Sequence, residues 1–414
     1  MAVLLQVLAG VISVFLTGYS VFFAVVFCGC FRRKKKFPEA APKTRFAVLI
    51  AARNEEKVIG NLVDSLLKQR YPRELYDVVV IPNNCRDHTA QRAREHGAKV
   101  LECTVPVKSK GEVLQFAFSR LMKEKKYDAF CVFDADNVVD PGYLEAMNRA
   151  FCSGTRIAQG YRESKNPGSS WVSGSYSIYF RMIAECVNRP RAAWGLPVFL
   201  GGTGWAVSRS CLDERGWETA SIVEDCEYSL KCVLWGEEIA WVHDAITYDE
   251  QPVSFRQSFT QRRRWSSGML QLLPRFTPQM LRGARAGKII SRLDALLSVS
   301  APLIQVVSCV PSLLLGAAFL LDGGKTGGTA FLFCVLIPFL MNILGTTLAA
   351  GFLACIGTGY RKGLYKGILT YWLFTLSWAW ISCISLFRKT SAWKEIRHTE
   401  TVGSISEVLG KQPV

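Results

Sequence analysis

Negative charge is scarce in this chain. Its 414 residues carry 34 Asp and Glu against 50 Lys and Arg, a formal net charge of +16. Histidine is scarcer still: the four residues His88, His96, His243 and His398 supply no zinc-ligand spacing. The fourteen cysteines include no CxxC pair. They sit singly, mostly inside apolar runs, and read as reduced small hydrophobes, which sets aside a disulfide scaffold and a zinc module. No internal repeat and no low-complexity segment is visible. What the chain has in plenty is apolar surface: 50% hydrophobic residues and a mean hydropathy of +0.16. A soluble nucleic-acid binder could carry the charge but would rarely be this apolar. A membrane protein with basic cytoplasmic segments explains both facts together.

Residues 2–30 are almost uncharged and long enough to cross a bilayer, which takes about 20 residues. The run "FRRKKKF" follows, so its flank belongs in the cytoplasm and the N-terminus outside. A cleaved signal peptide would carry its charge before the apolar stretch and end in a small-residue site, and neither is present. From residue 31 to 250 the chain reads as a cytoplasmic α/β domain. "RFAVLIAA" is a strand buried on both faces. "EEKVIGNLVDSLLKQRYP" sets Val58, Ile59, Leu62, Val63, Leu66 and Leu67 on one helical stripe. "YDVVVIP", "AKVLEC" and "YDAFCVFDAD" are further strands, with helices "DHTAQRAREHG" and "GEVLQFAFSRLM" between them. Alternation of this kind gives parallel strands with right-handed crossovers, and ligands then bind beyond the strands' carboxyl ends. Those ends carry "ARNEE", "PNNCRD" and "DADN". Residues 251–290 read as interfacial helices, residues 291–390 as transmembrane helices with apolar runs near 294–321, 329–357 and 368–387, and 391–414 as a basic tail.

Several short motifs can carry chemistry. Asp134 and Asp136 in "VFDADNVVDP" lie at the end of an apolar strand, where two carboxylates can hold Mg²⁺ or Mn²⁺ through oxygen; alone, the tripeptide is equally a solvated turn. Glu224 and Asp225 in "SIVEDCEYSL" precede an amphipathic stretch and serve either as helix-capping charge or as a general base. Lys110 in "VKSKGEVLQ" stands at a helix start, a place that suits a phosphate or a plain surface lysine. The glycine-rich "FLGGTGWAVS" allows a ligand to approach the backbone, or is an ordinary loop. "SFRQSFTQRRRWSSGMLQLL" places Phe255, Phe259, Arg263, Met269 and Leu272 near one another on a helix that suits the membrane interface. Its arginines also suit phosphate, and its tryptophan a sugar ring.

In this order, "AARNEE", "NNCRDHT", "KSKG", "DAD", "GGTG", "ED" and "QRRRW" together resemble the membrane-embedded family 2 glycosyltransferases, which include the cellulose, chitin, hyaluronan and poly-N-acetylglucosamine synthases. The resemblance covers residues 44 to 275 and, more loosely, the flanking membrane segments. It implies a GT-A type nucleotide-sugar-binding domain with a mostly parallel sheet, flanked by N- and C-terminal transmembrane helices. It implies a UDP-sugar donor, a metal pair on Asp134 and Asp136, a catalytic base on Asp225, and a Q-x-x-R-W motif on Gln261, Arg264 and Trp265. Arg264 then clamps the diphosphate and Trp265 walls the acceptor sugar. Arg262 and Arg263 fall on the motif's variable positions and are expected to face phospholipid. Lys110 fits the family's lysine near the diphosphate, and Glu55 the acid near the uracil. Gly202, Thr203, Gly204 and Glu224 fall on the acceptor side. One departure stands out: the family's aspartate beside the nucleobase is Asn83 here, while Asp87 is kept.

The expected reaction is a single inverting displacement that gives a β-linked glycan. Processive polysaccharide synthesis is the leading product class, and transfer of one sugar to a lipid or lipid-phosphate acceptor the alternative. A nucleic-acid-binding function lacks any groove-reading module, and a catalytically dead scaffold is disfavoured by the intact acidic motifs. The resemblance places the chain in the plasma membrane with several spans and the catalytic domain inside the cell. One conflict is internal to the sequence. Three plain crossings after the catalytic domain would leave the tail outside. Yet "FRKTSAWKEIRH" and the loop "GYRKGLYKG" are both basic and both want the cytoplasm. A last segment that dips in and returns, or lies along the interface, would reconcile them.

Overall fold

The computed structural model describes residues 1–32, 36–282, 286–321, 332, 336–356, 363–388 and 390. Helix α1 (Ala2–Phe27) opens the chain, and β1 (Phe46–Ala52) begins the α/β unit. All but one of the residues of "FAVLIAA" are buried, because the two faces of the strand serve two different cores. Phe46, Val48, Ile50 and Ala52 pack against Ile59, Leu62, Val63 and Leu66 of α2 (Ile59–Leu67). Ala47 and Leu49 face the other way, toward Val113, Leu114, Ala117 and Phe118 of α4 (Lys110–Leu121). Each of the buried Phe, Val, Leu and Ile side chains contributes about 1.5–3 kcal/mol of burial, so the apolar run can hold only as a central strand.

Between them lie β2 (Tyr76–Pro82), α3 (Thr89–Glu95) and β3 (Lys99–Val100). The strand expected over "AKVLEC" thus shrinks to two residues at the sheet's edge, where it needs only Val79 and Val80 as partners. Then come β4 (Ala129–Asp134), β5 (Val138–Val139), α5 (Tyr143–Cys152) and β6 (Ile157–Ser164). After a helical excursion follow β7 (Trp205–Ser208), α8 (Arg209–Arg215), α9 (Glu224–Trp235) and β8 (Ile239–Asp249). The eight strands form one sheet in the order β3-β2-β1-β4-β7-β6-β8-β5. β3, β2, β1 and β4 are parallel, as are β6 and β8, while β7 runs against both its neighbours. The expected GT-A type α/β fold with a mostly parallel sheet is what forms.

The excursion between β6 and β7 had no counterpart in the sequence reading. It comprises α6 (Trp171–Met182), started by a Ser170 and Ser173 capping box, a π-helical turn over Ile183–Asn188, and α7 (Arg189–Trp194). It docks the α/β unit onto the apolar helices. Arg181 is fully buried, pairs with buried Glu163 of β6 at 3.2 Å and donates to the Ala354 carbonyl at 2.8 Å.

After β8 come α10 (Phe255–Leu281), α11 (Ala286–Val299), α12 (Ala301–Val307), α13 (Val310–Leu321), α14 (Ile337–Cys355) and α15 (Tyr365–Phe387). Among the described residues four helical stretches are long and apolar enough to cross a membrane: Ala2–Phe31, Ala301–Leu321, Ile337–Cys355 and Tyr365–Phe387. The apolar run expected from residue 294 is divided, with α11 ending at Val299 before the Ala301–Leu321 stretch. A cleft-free crossing joins α6 to α15: a Cβ on Gly367 would come within 2.4 Å of the Gly174 carbonyl carbon.

Arg262 corrects an expectation. It does not face phospholipid but is fully buried. Its guanidinium donates to the Phe374 carbonyl at 3.0 Å and the Ser377 hydroxyl at 2.8 Å, and lies 4.2 Å from the Phe374 ring centroid. Aromatic faces and a helix carbonyl take the place of lipid headgroups as its partners. Arg263, its neighbour, donates to the Arg388 carbonyl at 3.0 Å. The basic tail from residue 391 lies outside the described residues, as do residues 359–362 of the loop "GYRKGLYKG", whose last three residues open α15.

Candidate active site

The carboxyl ends of β1, β2 and β4 carry Arg53, Asn83 and Asp134, and all three line one cavity of about 1140 Å³. Lys110, first residue of α4, reaches across it. Its ammonium donates to Asp134 Oδ1 at 2.5 Å and to the Gly202 carbonyl at 2.6 Å. Burial acts to lower the lysine's proton affinity, but Asp134, Glu224 and Asp225 outweigh it and hold the ammonium above its usual value. A charged lysine bound this way is a ready partner for a phosphate.

Glu224 and Asp225 form the first turn of α9 and both line the cavity. Burial raises the pKa of both carboxyls, with Glu224 pushed up to about 7 by burial and by the Asp225 charge. Lys110 and Arg264 pull in the opposite direction. Asp225 Oδ1 also accepts the Cys226 amide at 2.8 Å. Glycine at position 111 lets α4 and α9 meet here, since a Cβ would lie 2.4 Å from Thr219 Oγ1 and 3.2 Å from Glu224 Cβ. Gly202 holds φ +79°, the left-handed region that suits glycine.

The remaining expected residues divide. Glu55, Asp136, Gln261 and Trp265 line the same cavity. Gln261 Oε1 is buried without a hydrogen-bond partner among the described residues. Trp265 stacks on Trp378 of α15, centroids 6.3 Å apart and planes at 20°. Arg264 donates to the Ile222 carbonyl at 3.4 Å. Asp87, Thr203 and Gly204 are not part of the lining. Asp87 accepts the Glu56 amide at 3.1 Å and the Thr89 hydroxyl at 2.6 Å, fixing the turn after β2. Thr203 is fully buried, and its hydroxyl accepts the Asp134 amide at 3.0 Å. Gly204 packs against Thr247, whose Cγ2 would lie 2.7 Å from a Cβ there.

Sequence reasoning missed Arg162 and Asp249. Arg162 of β6 lines the cavity, donates to Asp249 Oδ2 of β8 at 2.7 Å and also holds the Gly201 carbonyl. Asp249 in turn accepts Asn137 Nδ2 at 3.1 Å, and Asn137 also donates to Asp136 Oδ1 at 3.2 Å. One buried network therefore joins the Asp134–Asp136 turn to the glycine loop. A charged residue inside the apolar strand "IAQGYRES" was the available signal.

Asp134 and Asp136 are hard oxygen donors one residue apart. Among the described residues no group of three or more His, Cys, Asp or Glu side chains could hold a metal alone. Mg²⁺ and Mn²⁺ at nucleotide sites take one or two carboxylates and complete their shell with phosphate oxygens and water. The pair fits a cation that arrives with a diphosphate.

Comparison with known proteins agrees with the fold. The chain is 24% identical over 272 residues to a probable glycosyltransferase, YdaM, of Bacillus subtilis, covering 61% of this chain and 64% of that one. It is 24% identical over 240 residues to the β-monoglucosyldiacylglycerol synthase of a Synechocystis strain, covering 56% and 49%. It therefore spans less than two thirds of the length of these relatives. Among solved structures, the mannosyltransferase PcManGT of Pyrobaculum calidifontis, in complex with GDP-Man and Mn²⁺, shares the fold at TM-score 0.63 and 14% identity, covering 90% of this chain and 99% of that one. Residues 42–268, from before β1 to the tryptophan of "QRRRW" and just beyond, match the glycosyltransferase-like family 2, and the chain belongs to that family of sugar-transferring enzymes.

Proposed function

We propose that this protein transfers one sugar from a nucleotide-diphosphate sugar to a hydroxyl of an acceptor held in the membrane, with inversion at the anomeric carbon. The shape of the cavity carries the reading. From Arg53 and Asn83 it passes Asp225 and continues between the apolar helices, to Tyr19 and Phe23 of α1, Gln305 of α12 and Trp378 of α15. The α1 residues that line it run from Tyr19 to Phe27. At 1.5 Å rise per residue that is about 12 Å, against about 30 Å for the hydrocarbon core of a bilayer. Such a depth suits an acceptor seated in one leaflet better than a polymer threaded across. The similarity to β-monoglucosyldiacylglycerol synthases, whose name carries a diacylglycerol lipid, supports the same choice.

In this reading Asp225 takes the proton of the acceptor hydroxyl. The oxygen forms its bond to the anomeric carbon as the bond to the diphosphate breaks on the opposite face, so an α-linked donor gives a β-linked product. Lys110 and Arg264 stand where negative charge gathers on the departing diphosphate. Asp134 and Asp136 would hold Mg²⁺ or Mn²⁺, which supplies further charge neutralisation there. Gln261, Trp265 and the glycine loop border the acceptor. The enzyme sits in the plasma membrane with several spans and its catalytic unit in the cytoplasm, where nucleotide sugars are made.

The Q-x-x-R-W cluster favours a second reading, processive synthesis of a polysaccharide. Proteoliposomes given a panel of nucleotide sugars, Mn²⁺ and diacylglycerol-containing lipid decide between them. Mass spectrometry should find lipid carrying one added sugar. Long glycan in the void volume of a gel-filtration column would establish the second reading instead, and absence of nucleotide release with every donor would overturn both.

A further inference from the structure

The loop from Gly201 to Gly204 is held by β6 on both sides of a single residue. The Gly201 amide donates to Gln159 Oε1 at 2.8 Å, and the Gly201 carbonyl accepts Arg162 Nη1. Gln159 and Arg162 both belong to β6 and both line the cavity. The Gln159 amide also donates to the carbonyls of Thr203 and Gly204, at 3.0 and 3.2 Å. The peptide planes on either side of Gly201 are thereby fixed, and Gly202, at φ 79°, offers its carbonyl to the Lys110 ammonium at 2.6 Å. Together with Asp134, that carbonyl anchors the lysine.

The fold alone gives little reason for a charge at Arg162. Its side chain is 18% exposed and that of Asp249 5%. Taking such a pair out of water costs about as much as its attraction returns, and a neutral pair of similar volume often serves a fold as well. What a neutral pair lacks is the planar fork of a guanidinium. Nε and Nη2 grip Asp249 Oδ2 at 2.7 and 2.5 Å, which leaves Nη1 to reach Gly201. The central carbon of the guanidinium lies over Phe180 of α6, 4.3 Å from the ring centroid. A strand and a helix thus set the plane of the arginine, and the arginine sets the loop. Asp249 is tied to the other anchor of Lys110 as well. It accepts Asn137 Nδ2 at 3.1 Å, and Asn137 Oδ1 accepts the Asp134 amide at 3.3 Å. The Gly202 carbonyl and Asp134, which hold the lysine from two sides, are therefore both tied to one ion pair.

We propose that Arg162, braced by Asp249, is a positioning residue that holds Lys110 in place for the donor's diphosphate through the glycine loop. The proposal rests on the nucleotide-sugar reading above and adds to it a residue outside the ordered motifs. Its test needs no acceptor. Full-length protein in detergent with Mn²⁺ is titrated calorimetrically with UDP, GDP, CDP and ADP. The tightest binder is then carried through Lys110→Met, the neutral pair Arg162→Met with Asp249→Asn, and all three changes together. Lys110→Met should weaken binding by roughly tenfold or more, the scale of a hydrogen bond to a charged group. The neutral pair should weaken it as much, although it leaves no charge buried alone. In the triple variant the loss should stay within about threefold of the larger of those two, because a lysine already out of place has little left to lose, whereas residues acting independently multiply their losses. Arg162→Gln keeps a donor for Asp249 but is too short to hold Gly201 as well, and gives the same reading should the neutral pair fail to fold. Wild-type affinity in the neutral pair, or in Arg162→Gln where that variant stands in for it, would overturn the proposal, as would multiplied losses in combination with Lys110→Met. Failure of all four nucleotides to bind the wild-type protein would instead bring down the nucleotide-sugar reading, and this inference with it.

Discussion

Asp134 and Asp225, one from a strand end and one from a helix start, flank a single glycine: a Cβ on Gly202 would lie 4.0 Å from Oδ2 of Asp134 and 3.5 Å from Oδ2 of Asp225. The carboxylate proposed to face the metal and diphosphate thus borders the same small space as the one proposed to take the proton. In the proposed reaction the anomeric carbon lies between these two charges, so their separate roles can be tested by separate losses.

Asp225→Asn should lower transfer by roughly 10²- to 10⁴-fold, the usual cost of losing a general base, with nucleotide affinity nearly unchanged. Steady-state rates and calorimetric titration read the two quantities. A mutant with more than half the wild-type rate would move the base elsewhere.

Asp136→Ala should remove the metal dependence of nucleotide binding. Titrating nucleotide diphosphate with Mn²⁺ and again with a chelator gives the two affinities. In the wild type they should differ, and in the mutant they should converge on the weaker value; a preserved difference would place the cation on other residues.

The rate should fall on acidification at a pH above the range of an ordinary carboxylate, because burial raises the proposed base Asp225. Burial raises both Glu224 and Asp225, with Glu224 near 7. A base whose pKa is raised holds its proton to higher pH and works only after losing it, so activity is gained as pH rises through that value. Glu224→Gln removes the neighbour that titrates there, and the acid limb should shift toward lower pH. A wild-type limb at the usual carboxylate range, in a profile taken from about pH 4 to 9, would refute the assignment.

Trp265→Ala and Trp378→Ala should each raise the acceptor KM by about fivefold or more while nucleotide affinity stays the same. The two indoles stack on one another and both border the cavity, so removing one leaves the other without its support, a loss of about 0.5–1.5 kcal/mol beyond the lost area. A large fall in nucleotide affinity with a normal acceptor KM would reassign Trp265 to the donor side.

Residue 391 should lie in the cytoplasm. α15 runs beside α10 over much of its length: Arg262 meets Phe374 and Ser377, Ser266 meets Ser382, Arg263 meets Arg388, and Gln271 meets Thr390. α10 carries Arg256, Arg263, Arg264 and Arg275 and is a poor candidate to cross a bilayer. A helix laid against it keeps both its ends near the same face, which lets the basic loop before α15 and the basic tail after it obey the same charge rule. Its composition alone would have allowed a crossing. One cysteine placed at Ser391 on a cysteine-free background, treated with a membrane-impermeant reagent, reports the side. Labelling in intact cells would mean that α15 crosses.

The sequence by itself determined the pieces whose cause is local. A run such as "FAVLIAA" has to be a central strand because no other setting buries both its faces, and "EEKVIGNLVDSLLKQRYP" has to hold a helix because Val58, Ile59, Leu62, Val63, Leu66 and Leu67 fall on one stripe. The order of short motifs was enough to place the acidic pair after β4 and the Glu224–Asp225 step at the head of α9. Tertiary structure decided what depends on partners far along the chain. Arg262 looked like a headgroup contact because it falls on a variable position of the Q-x-x-R-W motif, and it is buried because Phe374 and Ser377 come from another helix. Arg162 and Asp249 belong to the site because β6 and β8 pair side by side, a relation that no spacing within either segment encodes. Asn83 stands in the chain where the resembled family has an aspartate, and Arg53 across the β1–β2 register, with the Ala52 carbonyl, fixes the direction of its amide. The path from the strand ends to the apolar helices was equally hidden, because a cavity is the space between elements, and hydropathy and periodicity describe only the surfaces that each element brings to it.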